Sequence, residues 1–396
     1  MIADVDHVLM LTNAVSPDKL GGLERNVREL SSALARKGMS VTVLTKQVRE
    51  EDSPIEVGTD GVRIVRHRVP NKSNPAFAVL YPFYVAAGVF GELRRLAPRT
   101  VIHGQYPITS LPVALTNRPY VYTFHAPVHK EMLLERSDSY TLPTVIQSGA
   151  VASLRKAERR VVKSARSTVV LSEFMRAELG QLSATSAGTS QLIPGGIDTR
   201  FFSPGLRLRD AWATSADPLI FSARRLTTRT GVLELVRAFP SVLARHRSAR
   251  LAVAGDGHER DAVSNEIRRL GLTTEVRLLG RISNDDLLQW YRNADLTVTP
   301  TQLLEGFGLS TGESLAVGTP ALVTPVGANA ELVRDLHPLL VAPGPHPSEL
   351  AEGICRLLDP PELLVRLRTN ARSHAHPRWS WDHVSDRYLD LYRDHA

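Results

Sequence analysis

Short apolar runs alternate with stretches of helical spacing along almost the whole of this 396-residue chain, and the series occurs twice. In the first half, residues 7–11, 41–44, 62–67, 100–103, 120–123 and 168–171 read as strands, with helical spacing at 22–37 and 148–164 between them. In the second half, 219–223, 250–254, 276–279, 296–299, 321–324 and 339–341 read as strands, most of them followed by a helical pattern. Strands separated by helix-length crossovers form parallel sheets, so the fold class is α/β. Two series of six, in a chain too long for one ordinary core, predict two Rossmann-like domains. The join is expected near Ile197-Asp198-Thr199, where the pattern stops before Pro204-Gly205. The predicted division is therefore 1–198, 199–378 and a terminal amphipathic helix at 379–396, with Trp381, Val384, Tyr388 and Leu391 spaced for one face.

Composition narrows the class. The net charge of +7 falls wholly on the first 200 residues, and the second half is neutral. A basic first domain suits an anionic acceptor or an anionic membrane surface, or simply confers solubility. The cations Arg155, Lys156, Arg159, Arg160 and Lys163 lie on one predicted helix, readable as a lipid-facing surface or as an ordinary solvated face. No aromatic-interleaved basic motif or zinc spacing points to nucleic acid. The apolar stretch 76–90, interrupted by Pro82, is short of the roughly 20 residues of a membrane span and is expected to be a buried helix or pocket wall. One cysteine, Cys355, permits no internal disulfide. The start lacks the basic region of a secretory leader, and a cytoplasmic protein is expected.

The most informative segment is Glu305-Gly306-Phe307-Gly308-Leu309-Ser310-Thr311-Gly312-Glu313, between the strand 296–299 and an apolar-periodic helix. Its glycines let backbone approach a ligand, and the amides of Leu309, Ser310 and Thr311 at a helix start suit a diphosphate. The plainer alternative is that both carboxylates only favour the helix N-terminus. Asn284-Asp285-Asp286 reads as a helix start and not as a metal site.

The whole string resembles the Glu-x7-Glu motif of the family-4 retaining glycosyltransferases, which have the GT-B fold. Further matches come in family order: Gly21-Gly22-Leu23-Glu24, Phe124-His125-Ala126-Pro127, Ile193-Pro194-Gly195-Gly196-Ile197-Asp198, Ala223-Arg224-Arg225-Leu226 through Gly231, Gly255-Asp256-Gly257 and Gly280-Arg281-Ile282. The resemblance implies two Rossmann-like domains facing an interdomain cleft, with the C-terminal helix returning to the first. It implies donor diphosphate binding by Gly22, Arg225, Arg229, Leu309, Ser310 and Thr311. The transferred sugar is implied to meet His125, Glu305, Phe307 and Gly308, the ribose Glu313, and the nucleobase Arg281 and Ile282. The Lys expected in the Arg-Leu-x3-Lys-Gly clamp falls on Thr230, which leaves Arg229 as the candidate second cation.

The function implied by the resemblance is that of a metal-independent retaining transferase with no bound cofactor. It would take a UDP- or GDP-sugar as co-substrate and a small hydroxylated acceptor, such as an antibiotic or other secondary-metabolite scaffold. Glu305, His125 and Arg225 are the implied catalytic set. Gln105 and Tyr106, ending the strand 100–103, are the expected acceptor contacts. A front-face reaction is favoured, because no nucleophile and acid/base pair can be identified from sequence. A GT-B-fold sugar-nucleotide epimerase and a catalytically silent sugar-nucleotide binder are the alternatives.

Overall fold

The computed structural model describes residues 5–19, 21–71, 76–136, 144–214 and 216–394. The acidic start at 1–4 and the Asn74-Pro75 pair lie outside them. The chain forms two compact units: unit 1 is Met1–Gly196 with Trp381–Ala396, and unit 2 is Ile197–Ser380.

Unit 1 is built on an eight-stranded sheet: β1 (His7–Leu11), β2 (Ser40–Lys46), β3 (Ile55–Val57), β4 (Arg63–His67), β5 (Thr100–Gly104), β6 (Val121–Phe124), β7 (Ser167–Val170) and β8 (Gln191–Leu192). Their order is β3-β4-β2-β1-β5-β6-β7-β8, parallel throughout except for β3, which runs antiparallel to β4. The apolar runs of β1, β2 and β5–β7 are buried along most of their length, as parallel strands covered on both faces require. β3 and β8 go beyond the strands expected from sequence. Both are short edge strands fixed by pairing with a neighbour, so they carry little apolar pattern of their own.

The helix Gly22–Arg36 buries Val27, Leu30 and Leu34 in a core that also takes Val8, Met10, Val43 and Val101 from the sheet. The C-terminal helix Trp381–Arg393 joins this core through Trp381, Val384, Tyr388, Leu391 and Tyr392. Its indole Nε1–H donates to Glu29 at 2.6 Å, so the buried ring has a partner for its one polar atom.

The apolar stretch expected to be buried is the helix Phe77–Leu93, and only one side of it is covered. Tyr81, Val85, Val89 and Leu93 face the sheet, whereas Val79 (67% exposed) and Phe83 (69%) face outward. A helix laid on a sheet has one inward face, and this sequence is apolar on both. The cations Arg155, Lys156, Arg159, Arg160 and Lys163 are exposed on the helix Thr144–Ser164. Among the described residues, no helix is long and apolar enough to cross a membrane.

Unit 2 has five parallel strands, β9 (Leu219–Ala223), β10 (Arg250–Ala254), β11 (Val276–Gly280), β12 (Leu296–Thr299) and β13 (Ala321–Val323), in the order β11-β10-β9-β12-β13. The sixth expected strand, 339–341, is instead a 3-10 turn over Pro338–Leu340. Pro338 has no N–H to give a ladder, and His337 Nδ1 caps the turn by accepting from the Leu339 amide at 3.2 Å. Only Val341 keeps a single bridge, to Val323. Ser283, not the acidic residues after it, caps the helix Asn284–Asn293 by accepting from the Asp286 amide.

In each sheet the chain reverses its direction of spread once, between β1 and β5 in unit 1 and between β9 and β12 in unit 2. Crossovers on opposite faces leave a crevice at these switch points, beyond the carboxyl ends of the strands.

Gly196 closes unit 1 by lying flat on an aromatic ring: a Cβ there would meet Trp381 Cδ2 at 2.3 Å. Gly196→Ala is predicted to destabilise unit 1 by about 1–3 kcal/mol through overpacking. Urea unfolding followed by tryptophan fluorescence checks this, and an unchanged midpoint would refute the packing role.

Candidate functional site

In unit 2 the switch point between β9 and β12 gathers most of the polar residues of interest. β12 runs into the loop 300–308 and then into the helix Leu309–Val317. Gly308 makes the entry with φ of 100°, and a Cβ there would meet Asn329 Oδ1 at 2.1 Å. Only glycine combines that backbone with that approach. The first bond that closes this turn runs from the Gly312 amide to the Gly308 carbonyl at 3.0 Å. The amides of Leu309, Ser310 and Thr311 therefore have no carbonyl to meet within the helix, and they form a site of partial positive charge. The Thr311 hydroxyl is buried between Asn329 Oδ1 and Thr299 Oγ1, both at 3.0 Å, which pins the helix start to β12.

Glu305 is brought beneath this helix start by arginines from the turn after β9. Arg224 Nη2 lies 2.7 Å from Glu305 Oε2 and also donates to Thr301 Oγ1, while Nη1 donates to Ser310 Oγ at 3.3 Å. Both side chains are largely buried, at 9% and 17% exposure. Burial pushes the Glu305 carboxyl up, but the charge of Arg224, with lesser help from Arg229 and Arg225, more than offsets it and holds the group below its ordinary value. Glu305 is thus an anion at neutral pH, able to accept hydroxyl protons and unable to donate one.

The sequence pattern singles out Arg225. The structure puts Arg225 on the exposed side of the turn and gives the ion pair to Arg224. Neighbouring residues at a strand end point to opposite faces, so the doubled arginine offers both and only the tertiary register chooses. Arg229 is turned inward, donating to the Leu304 carbonyl at 2.9 Å. Leu304 itself has φ of 43°, an uncommon conformation for a side chain of its size, in the loop that presents Glu305. Thr230 is buried, its hydroxyl spent on the carbonyls of Arg225 and Thr227 at 2.5 and 2.7 Å. It closes the 3-10 turn Thr228–Thr230 that carries Arg229.

The turns after β10 and β11 abut this group. Gly255 has φ of 133°, and a Cβ there would meet the Arg224 carbonyl at 1.8 Å, so the Gly-Asp-Gly turn is what permits the two backbones to touch. The Gly255 amide donates to Gly280 at 2.7 Å, which draws in the loop of Arg281 and Ile282. The Arg281 side chain is 77% exposed, 3.7 Å from Asp256. Glu313 is buried on the helix Leu309–Val317 and accepts from Tyr291 Oη at 3.0 Å. Phe307, expected at the sugar, is buried with its ring edge-on to Trp379 at 6.2 Å, so its side chain is a packing group.

In unit 1 the switch point lies between the loop after β1 and the end of β5. The helix Gly22–Arg36 starts there with Gly22 exposed, and its first bond is Arg25 amide to Gly21 carbonyl at 3.0 Å. Glu24 lies beside that start in an ion pair with Lys19 at 2.9 Å. His125 follows β6, and its Nε2 is 2.6 Å from Gln105 Oε1. Burial lowers its pKa to about 4, so the ring is neutral at physiological pH. Gln105, expected to meet the acceptor, is 1% exposed and engaged with His125 and with the buried His103. Tyr106 stays partly open as the N-cap of the helix Pro107–Ala114, and burial raises its phenol pKa. Sequence does not single out His103, Tyr291, Asn329 or Arg224, because nothing in a linear pattern separates them from core or surface residues of the same type.

Residues 20–201 match the family model described as Glycosyltransferase Family 4, and residues 208–374 match that of Glycosyl transferases group 1. A D-inositol 3-phosphate glycosyltransferase of Nocardiopsis dassonvillei is 28% identical over 94% of this chain and 89% of its own. Sucrose-phosphate synthase of Thermosynechococcus elongatus has a similar structure, with a TM-score of 0.79 at 23% identity over 98% of each chain. HepE of Anabaena, solved with UDP-glucose, superimposes with a TM-score of 0.74 at 17% identity, over 98% of this chain and 99% of its own.

Because the folded Glu305 pKa is depressed, the stability it contributes is present above the unfolded-state value of about 4.3 and is lost as pH falls through the folded value. Arg224→Met removes the main counter-charge and leaves burial to push the carboxyl up. The variant is predicted to lose about 3–5 kcal/mol near neutral pH and, unlike the wild type, to recover part of that loss as pH falls, because a carboxyl raised by burial takes up its proton first in the folded state. Urea unfolding across a pH series measures both, and superimposable pH profiles would count against the pairing.

Proposed function

Because the chain belongs to glycosyltransferase family 4 and has the GT-B fold, we propose that it moves a sugar from a nucleoside diphosphate donor to a hydroxyl of a small acceptor with retention of configuration. The observation that carries this reading is the Arg224–Glu305 pair, tied through Arg224 to Ser310 at the start of the helix Leu309–Val317, with Arg229 on the neighbouring Leu304 carbonyl. Two guanidinium groups and three helix-start amides around one carboxylate have more positive than negative charge to offer. They suit a ligand with a diphosphate on one side and hydroxyl groups on the other.

In this mechanism Glu305 accepts hydrogen bonds from hydroxyls of the transferred sugar, and Glu313 accepts from the ribose. The loop of Arg281 and Ile282 flanks the base. The acceptor oxygen bonds to the anomeric carbon on the face from which the phosphate oxygen departs. Its proton passes to that leaving oxygen, so no protein base is required. Arg224, Arg225, Arg229 and the amides of Leu309–Thr311 stabilise the charge that grows on the departing diphosphate, the largest service such a site performs. As the family resemblance implies, His125 is assigned to the transferred sugar and Gly22, at a helix start, to an anionic group of donor or acceptor. UDP is the favoured nucleotide because related folds were solved with UDP or UDP-glucose. A small polyol or secondary-metabolite acceptor is in keeping with the relative named for D-inositol 3-phosphate.

A panel of UDP- and GDP-sugars is predicted to contain one that stabilises the fold, by about 2.7 kcal/mol at a hundred times its Kd. Thermal shift reads this directly, and stabilisation by none would sink the donor site. Glu305→Ala is predicted to cut kcat by a factor on the order of 100 or more while donor-dependent stabilisation persists. Unchanged turnover in that variant would remove Glu305 from the mechanism.

A further inference from the structure

Behind His125, unit 1 holds a chain of buried polar groups that ends on the C-terminal helix. His125 Nε2 is 2.6 Å from Gln105 Oε1. The Gln105 amide nitrogen turns the other way and lies 3.1–3.2 Å from the ring nitrogens of His103. His103 is fully buried, its Nδ1 2.6 Å from Tyr392 Oη and its Nε2 2.8 Å from Thr123 Oγ1. Tyr388 Oη reaches the same threonine hydroxyl at 3.3 Å. The rings of Tyr388 and Tyr392 pack on the His103 ring with centroids 5.4 and 5.6 Å away. Tyr392 is 289 residues from His103 in the chain, so the C-terminal helix reaches the end of β5 through one buried hydroxyl.

An amide oxygen accepts and cannot donate. The contact between His125 Nε2 and Gln105 Oε1 is therefore a hydrogen bond only when His125 carries its proton on Nε2. A neutral ring with Nε2–H has a bare Nδ1, which accepts a hydroxyl proton and cannot donate to a phosphate oxygen. We propose that Gln105, oriented by His103 and Tyr392, is a positioning residue that locks His125 in the Nε2–H tautomer and leaves Nδ1 as the acceptor for a hydroxyl of the transferred sugar. The functional half of this inference rests on the reading that His125 meets that sugar; the tautomer half does not. Burial keeps both imidazoles of the chain neutral, lowering the pKa of His103 to about 3 and of His125 to about 4. An unpaired imidazole would exchange its proton between the two nitrogens and present the wrong one part of the time. The side chains that prevent this come from β5, the residue after it, β6 and the C-terminal helix. Among them His103, Gln105, Thr123 and Tyr392 are out of reach of solvent.

The test uses the full chain with isotope-labelled histidine, in long-range nitrogen–proton correlation spectra, with the His125 signals assigned by their loss in His125→Asn. The wild type is expected to show a protonated Nε2 and a bare Nδ1 without any substrate present. Gln105→Leu removes the acceptor and is expected to give a mixed tautomer, with kcat down about tenfold and donor-dependent thermal stabilisation unchanged. Gln105→Glu, which keeps an acceptor oxygen at the same reach, is expected to restore the Nε2–H tautomer. Tyr392→Phe is expected to lower kcat by roughly threefold through the loosened His103. A wild-type His125 protonated on Nδ1 overturns the proposal whatever the variants do. So does a Gln105→Leu protein that keeps both the tautomer and kcat. If Gln105→Leu does not fold, the wild-type spectrum and Tyr392→Phe still decide it. Full activity in His125→Asn, beside an Nε2–H tautomer in the wild type, would instead overturn the assignment of His125 to the sugar.

Discussion

The buried pair of Arg224 and Glu305 is the constraint around which unit 2 is arranged. A carboxylate at 17% exposure is costly to keep ionised unless a cation shares its burial. That cation must come from another strand end, because the residues flanking Glu305 are Leu304 and Gly306. The turn after β9 delivers it, and the surrounding backbone is shaped to let it arrive. Gly255 permits the β10 turn to touch the Arg224 carbonyl, and Gly308 permits the helix start to close on Asn329. Leu304 holds an uncommon backbone angle in the same loop. Strain and close approach concentrated at one strand-end rim, with a regular sheet behind it, are the mark of a site held in place by its scaffold.

Thr230 shows how one change in a motif is absorbed. A lysine at this position would put a flexible cation at the turn; threonine instead buries its hydroxyl in the turn and stiffens it. Arg229, one residue earlier, turns inward to the Leu304 carbonyl, where its charge also bears on Glu305. The positive charge is thus kept but tied to the loop. The cost is freedom of the cation, and the gain is a fixed geometry for Glu305.

The polar chain in unit 1 obeys the same logic with neutral groups. His103, Gln105, Thr123 and Tyr392 are buried, and each finds its partner among the others. Such a network is worth keeping only when it is complete, since one missing member leaves a desolvated group unpaired. Its completeness depends on the C-terminal helix, which also supplies Trp381 and Leu391 to the apolar core. Packing and polar satisfaction therefore select the same position for that helix.

The secondary-structure elements and the neighbourhood of the site are legible in the residues alone. Eleven of the twelve expected strands form, because each carries a short run rich in apolar and β-branched residues and that signal is local. The exception, 339–341, comes directly after Pro338, which has no ladder hydrogen to give. The glycine turns and the helix start at Leu309 are legible for the same reason: their requirements are met within a few residues. Orientation and pairing come only from the folded chain. Folding pairs Glu305 with Arg224, packs Phe307 on Trp379, exposes Phe83 on an apolar helix, and spends Gln105 on His125 and His103. These outcomes turn on partners brought together from separate elements, or on which face a sheet leaves open, and no local pattern carries that information.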